Sequence, residues 1–228
     1  IDDAIANGCN VIFTTSPTFS QASLKAAIAN PKITILNCSL HDPHTSMRTY
    51  YARMHEAKFI MGAVAGSMAA HDKIVYIADY PIYGTIANIN SFAQGVKMTN
   101  PRAKIHLLWS CLKDVDVEEQ IKQLQPDCVS DKDLSVPEAG TRYYGLYMSY
   151  PDSIWNLAIP IYNWGKFYEQ LIEAILNGTW KADDSKNVKA INYWWGMAEN
   201  AIEVISSPWL PEGIKKLINL LTKTIRSG

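Results

Sequence analysis

The sequence predicts an α/β protein in which parallel strands alternate with helices. One observation is rhythm: short apolar runs such as Val11-Ile12-Phe13 and KIVYIA (residues 73–78) are each followed by a helical stretch of roughly ten residues or more. A second is punctuation, because Asn7-Gly8, Asn30-Pro31, Asn100-Pro101 and Asn177-Gly178 close the helical stretches. A third is material: 228 residues, 48% hydrophobic and 19% charged, suffice for one large domain or two small lobes.

Taken in order, residues 1–6 read as the end of a helix closed by Asn7-Gly8, and a strand covers residues 11–15. Residues 20–29 have helical composition, 32–37 form a second strand, and 49–70 read as a long helix with Phe59, Ile60, Ala63 and Val64 on adjoining faces. A strand at 73–78 leads to a helix at 85–98, a strand at 103–109 and a helix at 116–125. Short strands follow at 127–130 and 143–148, then a helix at 162–176, a strand at 191–195 and a closing amphipathic helix at 211–226. Strands spaced by helices imply parallel sheets covered on both faces. Ligands of such sheets sit beyond the carboxyl ends of the strands. That rule selects the loops at 14–19, 38–44, 79–83, 109–113, 130–135 and 147–152.

The charge balance, 21 basic against 22 acidic side chains, gives no electrostatic basis for a nucleic-acid partner or an anionic membrane surface. The apolar stretch at 59–70 is too short to span a bilayer. Cys9, Cys38, Cys111 and Cys128 form no C-x-x-C pair, so a zinc ribbon or redox motif is not indicated. Cys9 and Cys38 are expected to be buried thiols. No metal or other cofactor is expected. His41, Asp42 and His44 lack the spacing of a zinc signature. Ser67, His71 and Asp72 cluster at a helix end without a nucleophile elbow, so no catalytic residue is assigned. Gly62-x-x-x-Gly66 lies inside a predicted helix and reads as close helix packing, not as a phosphate loop. The acidic run Asp114, Asp116, Glu118 and Glu119 complements a helix start. Asn37-Cys38-Ser39 and Asn177-Gly178-Thr179 match the glycosylation sequon.

The selected loops are rich in Thr, Ser, Tyr, Asn and Asp with interspersed rings, within a chain of 7 Trp and 12 Tyr. Rings beside neutral hydrogen-bonding groups suit a planar, polar, uncharged solute such as a nucleoside. A reactive centre is absent from this pattern, which points to binding and not to an enzyme.

Residues 50–110, with "GAVAG" in a helix and "NPRAK" before a strand, resemble the basic membrane protein family of substrate-binding lipoproteins. So do "YNWGKFYEQLIEAILNGTW" (162–180) and "NYWWGMAENAIEV" (192–204). The resemblance covers essentially the whole chain. It implies a type I periplasmic-binding-protein fold, with two parallel-sheet lobes joined by hinge crossings and closing on a ligand in an interlobe cleft. The first lobe would hold residues 1–42 and about 153–186, the second 43–152, with 187–228 assigned to neither. Relative to the family, the first lobe is expected to lack its initial strand-helix-strand unit. Nucleoside-binding members place an Asp-Gln pair after a glycine-led strand and a lysine on the next crossing. Here the loop reads "GLYMSYPDSIW", with Asp152 the nearest carboxylate, and Tyr162 stands at the lysine position.

The candidate ligand residues follow from the strand ends. Thr15, Ser16 and Phe19 lie beyond the first strand, and Tyr80 and Tyr83 flank Pro81 beyond KIVYIA. Trp109 is the expected stacking platform of the second lobe, and Asp133 and Asp152 are candidate hydroxyl acceptors. Asn163 and Trp164 open a helix that should return to the cleft. The resemblance implies an ABC permease as partner, a small-molecule ligand, and an extracytoplasmic location, with membrane attachment through an upstream lipid anchor only. The family resemblance extends also to cytoplasmic ligand-sensing regulators on the same fold, which is the alternative reading.

Overall fold

The computed structural model describes residues 1–40, 44–131, 143–150, 153–179 and 191–228. The chain divides into two compact units, Ile1–Ala52 with Asn163–Trp195, and Arg53–Tyr162 with Gly196–Gly228. The sequence-expected boundaries at 42, 152 and 187 therefore meet structural ones at 52, 162 and 195, because two strands not read from the sequence lie at the junctions.

In the first unit, α1 (Asp2–Ala6), β1 (Val11–Thr14), a 3-10 turn (Pro17–Phe19), α2 (Ser20–Ala29) and β2 (Thr34–Cys38) follow in order. β3 (Arg48–Ala52), α6 (Trp164–Leu176) and β9 (Asn192–Trp195) complete it. The sheet runs β1-β2-β3-β9, with every pairing parallel. The expected helix from Thr49 does not start there. Thr49, Tyr50 and Tyr51 are β-branched or aromatic; Thr49 and Tyr50 pair with both β2 and β9, and Tyr51 pairs with β9, so the sheet outcompetes the helix until Met54.

Period-two alternation gives this sheet two different faces. Ile12, Ile35 and Met47 pack with Ala26 and Ala27 of α2 and with Ile1 and Ile5 of α1. The opposite face carries Phe13, Leu36, Tyr50, Tyr193 and Trp195 against Trp164, Phe167, Tyr168 and Leu171 of α6. Tyr50 and Phe167 stack with ring centroids 4.8 Å apart, and Phe167 meets Trp195 edge-on at 4.8 Å. Such pairs add about 0.5–1.5 kcal/mol each beyond the area they bury.

The second unit contains α3 (Met54–Met68), β4 (Lys73–Ala78), α4 (Tyr83–Thr99), β5 (Lys104–Trp109) and α5 (Val117–Leu124). It continues with β6 (Cys128–Ser130), β7 (Leu146–Tyr150), β8 (Ser153–Tyr162), β10 (Ile202–Ser206) and α7 (Glu212–Ser227). Its sheet runs β10-β8-β7-β6-β4-β5. β5, β4 and β6 are parallel, as the strand-helix rhythm predicts, whereas β7, β8 and β10 join antiparallel. The strand expected at 143–148 lies at Leu146–Tyr150. β8 contains Pro160, whose missing N–H makes a ten-residue strand hard to foresee.

α3 and α4 pack at a separation only glycine permits. A Cβ built on Gly62 would meet the carbonyl oxygen of Phe92, and one on Gly95 would meet that of Phe59. The Gly62-x-x-x-Gly66 pattern is therefore a packing device, as its place inside a helix predicts. Asp116 caps α5 as expected, its carboxylate accepting from Glu119 N–H at 3.0 Å. All four cysteines are thiols, and Cys9 is exposed, not buried as expected, because it follows the α1 turn outside the strand. Among the described residues, no helix is long and apolar enough to cross a membrane.

Candidate functional site

In the first unit, the carboxyl end of β1 is held by hydrogen bonds from both sheet faces. Thr14 Oγ1 bonds Ser23 Oγ of α2 at 2.9 Å and accepts from Asn37 Nδ2 at 2.8 Å. Asn37 Nδ2 also donates to the Ser16 carbonyl at 2.9 Å, and the Tyr50 hydroxyl donates to the Thr14 carbonyl at 3.2 Å. This anchorage fixes the loop that carries three candidates. Thr15 and Phe19 are exposed, while Ser16 caps the following turn by accepting from Thr18 N–H at 3.3 Å.

Asn163 and Trp164 open α6, but Trp164 lies over the aromatic core, 5.4 Å from the Tyr50 ring and 6.4 Å from the Tyr168 ring. The Tyr50 and Tyr168 hydroxyls are 3.3 Å apart. Burial, and then the Tyr168 hydroxyl, push Tyr50 well above the ordinary phenol range, and burial likewise raises Tyr168. Burial pushes the Cys38 thiol up to about 11. All three groups are neutral at physiological pH, whereas Arg48 brings a charge to the same cluster, its Nη1 donating to the Tyr193 hydroxyl at 2.6 Å.

One polar row crosses the same sheet. Thr14, Asn37, Thr49 and Asn192 are register partners in sequence from β1 to β9. Asn37 Oδ1, Thr49 Oγ1 and Asn192 Oδ1 have no hydrogen-bond partner among the described residues. Unmatched buried acceptors are rare and call for a donor.

In the second unit, parallel pairing brings the candidate rings to one edge. Trp109, the last residue of β5, is the register partner of Ala78 at the end of β4. Tyr80 and Tyr83 follow directly and are 60% and 59% exposed, while Trp109 is half-buried. Large rings left this open beyond strand ends are available to stack on a planar guest. Between Ala78 and Tyr80 in sequence stands Asp79, 9% exposed, which accepts from Ser110 Oγ at 3.0 Å. Thr85 and Asn88 of α4 are buried nearby in sequence. At the end of β6, Ser130 accepts from the Nζ of buried Lys58 at 3.2 Å. Asp133, Asp152, His41 and Asp42 lie outside the described residues.

Sequence reasoning missed Asp79, Lys58 and Ser130. Each had a signal: a carboxylate directly after an apolar strand, a lysine inside an otherwise apolar helical stripe, and a hydroxyl ending a short strand. The triad-like set disperses. Ser67 Oγ donates to the Ala63 carbonyl at 2.8 Å, His71 Nδ1 pairs with Asp127 at 2.8 Å, and Asp72 accepts from Asn100 Nδ2 at 2.8 Å. Among the described residues, no three His, Cys, Asp or Glu side chains cluster as a metal site.

An apolar hollow of about 880 Å³ also lies in this unit, lined by residues that include Trp155, Leu157, Ile205, Trp209 and Leu210. It sits along the amino-terminal half of β8, which runs in the same direction as β4 and β6. The hollow is therefore displaced from the strand ends that carry Tyr80 and Trp109, and its polar lining residues are Asn156, Ser206 and Ser207.

Residues 1–121 match the sequence profile of the Bmp family, described as ABC transporter substrate-binding protein PnrA-like. The chain belongs to the Bmp family. A purine-binding protein of Brucella abortus is 25% identical over 97% of this chain and 65% of its own length. A protein of Haloferax volcanii, provisionally named an ABC transporter glucose-binding protein, is 23% identical over 89% of this chain and 52% of its own length. The chain thus spans less than two thirds of these relatives. In structure, the Bmp chain resembles a solute-binding protein of an ABC transporter from Conexibacter woesei, with TM-score 0.70 and 14% identity over 100% of this chain and 80% of that one. It also resembles a transcriptional activator of the comK gene from Bacillus halodurans, with TM-score 0.72 and 13% identity over 99% and 81%. These likenesses establish the periplasmic-binding-protein type of α/β fold.

Proposed function

We propose that this chain is the solute-binding part of an ABC-type import system and that its solute is a purine base, a nucleoside or a similar planar polar molecule. The observation that carries this reading is the chemistry of the strand ends. Exposed Tyr80 and Tyr83 and half-buried Trp109 lie beyond the ends of β4 and β5, beside the largely buried Asp79 in sequence. A purine supplies what these groups ask for, a flat ring to stack and an N–H donor for a carboxylate. Its Brucella relative carries purine binding in its name. The reading brings with it a permease as partner and an extracytoplasmic location, and it expects the solute to leave unchanged.

The alternative is a cytoplasmic ligand-sensing regulator on the same fold, favoured by the likeness to the comK activator. A helix-turn-helix segment in the full-length protein would select it, and a lipid-anchor cysteine would select the receptor. The ligand reading is tested by thermal shift against purine bases, nucleosides, glucose and other sugars. Purines are expected to raise the melting temperature with concentration, by the linkage between binding and folding. A shift with glucose alone, or a purine consumed during incubation, refutes it.

A further inference from the structure

Three buried oxygens in the first unit need more hydrogens than the row that carries them can supply. Thr14, Asn37, Thr49 and Asn192 stand side by side across β1, β2, β3 and β9. Thr14 and Asn37 follow Ile12 and Ile35 at an interval of two, so the row lies on the sheet face that α2 covers. Asn37 and Thr49 are fully buried. The Thr14 hydroxyl is fully engaged. Its one hydrogen goes to the Leu36 carbonyl at 3.2 Å, and it accepts from Asn37 Nδ2 at 2.8 Å and from Ser23 Oγ at 2.9 Å. Asn37 is fixed in orientation, because the Ser16 carbonyl can only accept and therefore meets Nδ2, at 2.9 Å. Its Oδ1 is thereby an acceptor that no exchange of the amide ends can convert.

Asn37 Oδ1, Thr49 Oγ1 and Asn192 Oδ1 have no hydrogen-bond partner among the described residues. The two amide oxygens need a hydrogen each, and the Thr49 hydroxyl brings one for both. Rotating that hydroxyl toward one amide leaves the other unmatched. A group that gives two hydrogens and takes one satisfies all three atoms. Water has that valence, and internal waters make about three bonds to buried polar groups. A cation would meet three neutral oxygens with no counter-charge in the row, which makes its burial costly. We propose that the row binds one structural water, which donates to Asn37 Oδ1 and Asn192 Oδ1 and accepts from Thr49 Oγ1. The water braces the Asn37 amide, which in turn holds the Ser16 carbonyl, and so steadies the loop of Thr15 and Phe19 from inside the sheet. This site is independent of the purine reading.

A crystal structure of the parent chain at atomic resolution, with melting temperatures of the parent and Thr49→Val, tests the site. One isolated density peak should lie within hydrogen-bond distance of all three oxygens. A direct bond from Thr49 Oγ1 to either amide with no such peak overturns the proposal. Valine keeps the shape of threonine and lacks the hydroxyl, so the sign of the melting shift discriminates. If the hydroxyl serves a bound water, Thr49→Val removes one of its three bonds and should melt about 2–4 °C below the parent. If the hydroxyl is idle, its removal leaves the melting temperature unchanged or raises it, which overturns the proposal. The parent should melt at the same temperature in sodium, potassium and tetramethylammonium chloride at equal ionic strength. A rise with sodium or potassium that Thr49→Val abolishes identifies a cation in place of water and overturns the assignment likewise.

Discussion

Glu56 joins the start of α3 to the segment that follows β9, and removing it should be costly for reasons readable atom by atom. One carboxylate oxygen accepts from the Met197 N–H at 2.7 Å, and Met197 is fully buried. The other lies 3.2 Å from Arg53 Nε, whose guanidinium also reaches Glu199 at 3.0 Å. The same carboxylate fills the space where Gly196 would carry a side chain. Glu56→Ala strands a buried donor, which costs about 1.5–3 kcal/mol for a bond to a charged acceptor. The half-exposed Arg53 pair adds at most about 1 kcal/mol. The expected loss is about 2–4 kcal/mol in urea unfolding followed by circular dichroism, whereas Glu56→Gln, which keeps the acceptor, should lose about 1 kcal/mol. Gly196→Ala alone should cost about 1–3 kcal/mol by overpacking. In the Glu56→Ala background most of that cost should vanish, a coupling of about 1 kcal/mol or more. A Glu56→Ala chain within about 0.5 kcal/mol of the parent, well below the cost of an unmatched buried donor, would refute the reasoning.

Other consequences follow from the same coordinates. Gly62→Ala or Gly95→Ala should destabilise by about 2 kcal/mol or more, because the methyl meets backbone of the neighbouring helix that cannot turn aside; a melting curve matching the parent's would contradict this. Burial raises the Glu199 carboxyl, but hydrogen bonds from the Gly196 and Glu199 N–H groups and the Arg53 guanidinium outweigh it and hold the pKa below 4.5. A folded pKa below the unfolded one gives stability that is complete above pH 4.5 and lost as pH falls through the folded value. Glu199→Gln should therefore flatten the acid limb of the stability profile, and an unchanged limb would count against the pairing. The Cys128 thiol is fully buried and pushed up to about 12 by burial and then by Asp127, so a thiol reagent should label exposed Cys9 at once and Cys128 only on unfolding.

Where local signals agreed with the sheet, the sequence was a good guide. KIVYIA became a strand with five consecutive buried residues, and the helices that follow it end at Asn100 and Asn177 as their punctuation predicts. Misreadings arose where tertiary pairing decides. Residues 48–52 have helix-compatible neighbours, yet Tyr50 is sandwiched by β2 and β9 and becomes a strand. β8 and β10 stabilise one another across the sheet, and nothing local in "SIWNLAIPIY" reveals a partner forty residues on, at about the distance where pattern reading loses force. The place of the aromatic candidates at strand ends is legible because a strand's end names its loop. The burial of Lys58 and Asp79 and their bonds to Ser130 and Ser110 are not, since only the fold supplies them.

If the open rings beyond β4 and β5 stack on one planar solute, calorimetric titration of the parent, Tyr80→Ala and Trp109→Ala with adenine and hypoxanthine tests it most directly. Binding by the parent should weaken at least tenfold in each variant for the base bound best, in line with the roughly 1–3 kcal/mol a base gains by stacking on a ring. Retained affinity in both variants, or heat from glucose and none from either base, would contradict the account.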